Sequence, residues 1–240
     1  MENFWYRYWF NEKYLMLYGH RNHSDALDQI NLYLNTACPL KTDRILDLAC
    51  GQGRHCNILH NKGYRVEGLD LSPALLSLAR QKYPHITFHQ SDMRQIPGRY
   101  NHILSLFTSF GYFKDKENEK VIKNIAASLL PGGIIWLDFF NSSYIKKNLV
   151  KKNQRVNKKG VTISEEREIN NKRIYKKIFI EKNNKKEKYI ESVRMYTKEE
   201  LCTLLKKYNF TVKNIIGDYY GKKWHKDSRR TIVFGKLNET

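Results

Sequence analysis

Between Arg44 and Asn141 short apolar runs alternate with longer mixed stretches, and this rhythm confines the chain to a parallel sheet with helices on both faces. Arg44–Ala49 (RILDLA) predicts a strand, Gln52–Asn61 a helix and Arg65–Asp70 (RVEGLD) the next strand. Ser72 and Pro73 supply an N-cap and a first-turn proline for a helix through Gln81. Strands follow at Ile86–Gln90, His102–Phe107 and Ile134–Phe139. Between the last two lies a helix from about Glu117 to Leu130, closed by Pro131-Gly132-Gly133.

Lys146 to Arg194 has a different character. It is strongly basic and alternates apolar with charged residues, setting Ile174, Lys176, Ile178 and Ile180 against Tyr175, Lys177, Phe179 and Glu181. That alternation predicts antiparallel hairpins, with Asn170-Asn171 and Asn183-Asn184 tolerating the positive φ of tight turns. A helix returns at Thr197, where Thr197 and Glu200 form a capping box, and strands at Phe210–Gly217 and Thr231–Gly235 close the chain. The 240 residues suit one large domain with an insertion. The divisions read as a helical, aromatic cap over the sheet edge at 1–35 and a first part of the core at 36–145. A hairpin insertion on the substrate side at 146–195 and the remainder of the core at 196–240 complete them.

No run of about 18 apolar residues is present and Met1 to Phe10 has no signal-peptide pattern, which points to a cytoplasmic protein that does not enter membranes. The four cysteines have no framework spacing, so free thiols are expected. A net charge of +19 suits an anionic partner such as a nucleic acid, but a lysine-rich codon bias produces the same total, so charge alone selects neither.

The chemistry concentrates in Asp47-Leu48-Ala49-Cys50-Gly51-Gln52-Gly53-Arg54-His55, at the junction of the first strand and first helix. Gly51 and Gly53 permit a tight turn and leave room for a ligand against the main chain. A dinucleotide fingerprint would place a third glycine where Cys56 stands. S-adenosylmethionine fits the departure, because it has no pyrophosphate to cradle and its sulfonium welcomes an acidic residue such as Asp47. Asp70 ends the second strand seventeen residues beyond Gly53, placed to accept ribose hydroxyls. Ser91-Asp92-Met93 follows the third strand, where Asp92 can accept the adenine amino group or serve as a turn former. Cys50, His55, Cys56 and His60 do not make a metal site, since the helix after Gly53 turns Cys56 toward the sheet.

With those residues in place, the chain resembles the class I S-adenosylmethionine-dependent methyltransferases of small-molecule type, through DLACGQGRH, GLDLS and LLPGG in order. The resemblance implies a Rossmann-like, doubly wound α/β fold with a seven-stranded sheet in the order 3-2-1-4-5-7-6, its last strand antiparallel, plus an antiparallel β insertion. It implies that Asp47, Ala49, Gly51 and Gly53 line the methionine part of the cofactor, Asp70 and Leu71 the ribose and adenine, and Asp92 and Met93 the adenine. Phe107 would offer backbone groups to the methionine ammonium, and Tyr14 and Arg21 would close over the cofactor.

The same resemblance assigns Tyr112, Tyr219, Trp224 and Arg229 to the acceptor pocket, with packing as the alternative for each, and offers His20, His225 and Tyr112 as candidate bases. No Asn-Pro-Pro-Tyr or Asp-Pro-Pro-Tyr follows the fourth strand, which argues against base N-methylation of that kind. The implied activity is methyl transfer to N or O of a small molecule by a monomer or homodimer. The competing readings are an RNA- or protein-directed methyltransferase docking through the basic insertion, and a cofactor-binding module without catalysis.

Overall fold

The computed structural model describes residues 4–18, 23–157, 160–183 and 185–239. The N-terminal segment forms α1 (Trp5–Trp9), α2 (Glu12–Tyr18) and α3 (His23–Ala37). The alternating part then runs β1 (Arg44–Leu48), α4 (Arg54–Asn61), β2 (Arg65–Asp70), α5 (Pro73–Lys82), β3 (Thr87–Gln90), β4 (Tyr100–Ser105), α6 (Asp115–Ser128) and β5 (Leu129–Phe140). After α7 (Ser142–Lys147) come β6 (Lys152–Val156), β7 (Thr162–Asn170), β8 (Arg173–Lys182) and β9 (Lys185–Arg194). The chain closes with α8 (Lys198–Lys207), β10 (Phe210–Ile216) and β11 (Arg230–Leu237).

Seven strands form one sheet in the order β3-β2-β1-β4-β5-β11-β10, with β11 antiparallel to both neighbours, as the resemblance implies. The remaining four make a separate antiparallel sheet, β6-β7-β8-β9. Both faces of the large sheet are covered, so adjacent residues of one strand enter different cores. Ile45, Leu104, Trp136 and Ile232 pack with α3, α4 and α5, whereas Leu46, Ile103, Leu137 and Val233 pack with α6, α8 and the small sheet.

Several local expectations shift. The helix before LLPGG stops at Ser128, because Leu129 already pairs with Tyr100, and the proline and glycines form an irregularity within β5 rather than the helix stop. The basic stretch opens with α7 instead of a strand, capped by the Asn141 side chain, which accepts from the Ser143 N–H. In the β7–β8 turn positive φ falls on Asn171 and Lys172, since Asn170 is still paired with Arg173. Asn183 has φ 49°, and Asn184 lies outside the described residues. The capping box of α8 forms as read, Thr197 accepting from the Glu200 N–H and Glu200 from the Thr197 N–H.

The N-terminal segment does not cover the sheet edge. Its helix α3 lies against α4 on a sheet face, burying Ile30 and Tyr33. Helices α1 and α2 cross the carboxyl ends of the strands. Ser72 Oγ there donates to the Phe10 carbonyl at 2.6 Å, and Trp9 packs 4.5 Å from Tyr189 of β9. Aromatic side chains drive this placement, because the strand ends offer the unfilled apolar surface.

Gly53 is the position where the first turn most needs glycine. Its φ is 75°, and a Cβ there would come within 2.7 Å of the Phe88 ring. Gly63 has a similar φ of 80° but nothing within 4 Å of a Cβ. Gly63→Ala is therefore expected to cost only the left-handed strain of about 1–2 kcal/mol. Gly53→Ala adds crowding of a further ~1–3 kcal/mol. Urea unfolding of the two variants measures the difference, and equal losses would refute the packing role given to Gly53.

Candidate active site

A cavity of about 340 Å³ opens where β1, β2, β3 and β4 end, the crevice in which open α/β sheets hold ligands. Tyr14, Asp47, Ala49, Gly51, Asp70, Leu71, Asp92, Met93, Phe107 and Tyr112 all stand in its wall. Arg21 and His20 lie outside the described residues. Gly53 is not in the wall, because its turn into α4 presses it against Phe88 and Tyr83 instead.

Three of the tail residues stand elsewhere. Tyr219 sits behind β4, its hydroxyl donating to Asp138 Oδ2 at 2.8 Å. Trp224 donates through Nε1 to Thr231 Oγ1 at 3.0 Å and carries Lys198 over its ring. Arg229 is exposed, and the adjacent Arg230 takes the interior position, since neighbouring residues at a strand point to opposite faces. His225 is exposed, outside the cavity, and its Nδ1 accepts from the Asp227 N–H.

Asp70 is held at both of its oxygens. Its Oδ2 accepts from the Gly51 N–H at 2.7 Å and Oδ1 from the Ser72 N–H at 2.8 Å, leaving a lone pair on each oxygen for two ligand hydroxyls. Burial raises its carboxyl above the ordinary value, with the N–H donors of Ser72 and Gly51 pulling the other way. Asp92 is claimed by a neighbour that the sequence reading passed over. Arg94 donates its N–H and Nε to Oδ1 at 2.9 Å and Nη2 to Oδ2 at 2.6 Å, which leaves room on Oδ2 for one further donor. Burial alone would raise the Asp92 carboxyl, but Arg94 outweighs it and holds it below the usual range.

Asp47 lies at the floor, 1% exposed. Burial pushes its carboxyl up to about 7, and burial also pushes its neighbour His55 down to about 3. His55 Nδ1 stands 3.7 Å from Asp47 Oδ2, beyond hydrogen-bond range, while Nε2 donates to Gln29 Oε1 at 2.8 Å. Between about pH 3 and about 7 the one proton of this pair is accordingly on Asp47, next to a neutral imidazole.

The roof is aromatic. Phe10 stacks on Tyr112 at 5.7 Å, Trp5 meets Tyr112 at 5.1 Å, and Tyr14 packs edge-on to Phe10 at 4.9 Å. The far wall comes from the small sheet, through Arg167, Ile174, Lys176, Glu191 and Val193. Lys176 donates to Glu165 at 2.9 Å and to the Tyr18 hydroxyl at 2.5 Å, while Glu191 Oε1 accepts from Trp9 Nε1 at 2.6 Å and Tyr18 at 2.8 Å. Burial would raise Glu165, but Lys176, Arg167 and Arg155 carry it down to about 2. The sequence carried one signal for this wall, Lys176 standing in the otherwise apolar row Ile174, Ile178, Ile180. Among the described residues no group of three His, Cys, Asp or Glu side chains is placed to hold a metal ion, and no helix is long and apolar enough to cross a membrane.

The donor and acceptor pattern fits S-adenosylmethionine. Two open acceptor positions on Asp70 suit ribose hydroxyls and one on Asp92 suits an exocyclic amine. Gly51 leaves the wall open, since a Cβ there would meet only Leu75 at 3.9 Å.

Comparison with known proteins agrees with this geometry. Residues 45–133 match the family model described as a methyltransferase domain. The YqeM protein of Bacillus subtilis (strain 168) is 37% identical over 122 residues, covering 48% of this chain and 49% of its own. The Streptomyces venezuelae protein named dTDP-3-amino-3,4,6-trideoxy-alpha-D-glucopyranose N,N-dimethyltransferase is 31% identical over 120 residues, 46% of this chain and 51% of that one. The chain thus spans about half the length of these curated relatives. A crystal structure of an S-adenosylmethionine-dependent methyltransferase from Clostridium acetobutylicum ATCC 824 superposes with a TM-score of 0.78 at 21% identity, over 93% of this chain and 95% of that one. Residues 45–133 thus match a methyltransferase domain, and the seven-stranded topology, with acids at its strand ends, is the fold of that S-adenosylmethionine-dependent methyltransferase.

Proposed function

We propose that the protein transfers the methyl group of S-adenosylmethionine to a nitrogen or oxygen of a small molecule. The observation that carries this is a single cavity with two unlike ends. The strand-end acids Asp47, Asp70 and Asp92 occupy one, and the small sheet with the aromatic roof closes the other. At about 340 Å³ it has the scale of a ligand pocket rather than an open groove for a macromolecule. The inner face of the basic insertion faces that cavity, which favours a substrate wall over an RNA-docking surface. The dimethyltransferase relative, named for an amino sugar, supports the same class of acceptor. Four free cysteines suit a cytoplasmic setting.

The bound cofactor supplies an electrophilic methyl on a sulfonium. The chain's own residues have the simpler task of alignment and exclusion of water. Asp70 and Asp92 fix the nucleoside, and the turn after β4 holds the amino-acid end. Trp5, Phe10, Tyr14 and Tyr112 cover the reacting zone, and Arg167, Lys176 and Glu191 orient the acceptor.

Incubating the protein with methyl-labelled cofactor and a cell extract tests the reading. Label is expected in the small-molecule fraction with release of S-adenosylhomocysteine, and label confined to RNA or protein would overturn it. Asp70→Ala is expected to weaken S-adenosylhomocysteine binding about 100-fold by calorimetry, the loss of two charge-assisted hydrogen bonds of ~1.5 kcal/mol each.

The proton at the cavity floor gives a second prediction. Folded, the pair holds one proton, on Asp47, from about pH 3 to about 7. Unfolded, it also holds one between the ordinary values of 3.8 and 6.5, on His55. Across that interval the two pH dependences cancel. His55→Asn leaves the raised acid uncompensated, so relative to the parent its stability falls as pH rises from 3.8 toward about 7. Asp47→Asn leaves the lowered imidazole, and its stability falls as pH drops from 6.5 toward about 3. Each slope is at most about 1.4 kcal/mol per pH unit. Urea unfolding at pH 4.5, 5.5 and 6.5, values chosen at about unit spacing within that window, reads both, and slopes of the same sign would refute the assignment.

A further inference from the structure

The turn leaving β4 is held in a conformation that its side chains resist. Phe107 and Thr108 have φ of 52° and 65°, successive non-glycine residues in the left-handed region. Both of their N–H groups are committed to β5, Phe107 donating to Asp138 Oδ2 at 2.8 Å and Thr108 to the Asp138 carbonyl at 2.9 Å. No peptide bond described here is cis, and in a trans peptide the carbonyl points opposite to the N–H. The Leu106 and Phe107 carbonyls are therefore turned away from β5; the Leu106 carbonyl keeps one lone pair after accepting from Ser109 Oγ at 2.7 Å, and Leu106, Phe107, Thr108 and Ser109 all line the cavity.

What fixes the turn is a charge cluster that the fold does not require. Asp138 is fully buried, and Arg230 donates to its Oδ1 through Nε at 2.8 Å and Nη2 at 2.6 Å. Tyr219 donates to Oδ2 at 2.8 Å, and Arg230 Nη2 also reaches Thr108 Oγ1 at 3.0 Å. The β5–β11 ladder is already paired from Arg230↔Phe140 to Lys236↔Ile134, so an apolar pair at these positions would serve the sheet as well. A buried ion pair specifies geometry better than it adds stability, and every group of this one points at the turn.

Resting on the function proposed above, we infer that Asp138, Arg230 and Tyr219 are positioning residues that aim the carbonyls of the β4 turn at the ammonium of the bound cofactor. They set the preference for a ligand that carries an amino-acid end. They touch no reacting atom; they act through the backbone of Phe107 and Thr108.

Calorimetry with two probes tests this. S-adenosylhomocysteine carries the ammonium, whereas 5′-methylthioadenosine shares the nucleoside and thioether but lacks it. The double variant Asp138→Asn with Arg230→Gln removes both charges together and leaves no unpaired ion. It is expected to bind S-adenosylhomocysteine about tenfold more weakly than the parent while 5′-methylthioadenosine changes less than about twofold, the scale of one weakened charge-assisted contact. Tyr219→Phe keeps the ion pair and is expected to show the same selective loss at about threefold, so it carries the comparison if the double variant does not unfold cooperatively in urea. Equal losses for both probes, or no loss for either, in a folded variant would overturn the inference. A parent chain that binds neither probe would instead sink the proposed function.

Discussion

The buried carboxylate of Asp70 is the fixed point of the molecule. By accepting N–H groups from Gly51 and Ser72 it draws the turn after β1 and the start of α5 onto the end of β2. Hydrogen bonds to a charged acceptor are worth about 1.5–3 kcal/mol each, enough to order two loops that would otherwise move independently. Ser72, fixed in this way, holds the Phe10 carbonyl, so the N-terminal aromatic segment is tied to the same point. The acid that would hold the ribose also sets the shape of the crevice around it.

The opposite wall is organised by a different kind of force. Arg173 of β8 donates to the carbonyls of Phe113 at 2.8 Å and Tyr112 at 3.1 Å, and the Arg194 N–H donates to Gly111 at 2.8 Å, so the small sheet is stapled to the loop that follows β4. Within it Glu165 gathers Arg155, Arg167 and Lys176, balancing cations that would otherwise repel. Ile178 and Ile180 of the same row are buried against the core, so β8 supplies both packing that seats the sheet and one of the charges that face the cavity, Lys176.

Much of this was readable from residue order. The alternation between Arg44 and Asn141, the glycine turn and the spacing to Asp70 and Asp92 identify a strand, its turn and the end of its neighbour, all local features that depend on two or three elements. Arg94 was overlooked because its claim on Asp92 is a side-chain fork at close range, invisible to a pattern that reads only the acid. The tail was misplaced for a related reason. Arg229 and Arg230 are indistinguishable as letters, and only the pairing of β11 with β5 decides which of them faces Asp138.

The sequence by itself determined a doubly wound sheet, its turn chemistry and a row of acids at strand ends, because these follow from periodicity and from residue types acting within a few positions of each other. Tertiary structure alone decided that α1 and α2 roof the cavity, that the basic hairpins turn Lys176 and Glu191 inward, and that Tyr219 and Arg230 stand behind the β4 turn. Those placements join residues as many as 182 positions apart, as with Trp9 and Glu191. They depend on which surfaces are left to bury once the sheet has formed, and no local pattern encodes that remainder.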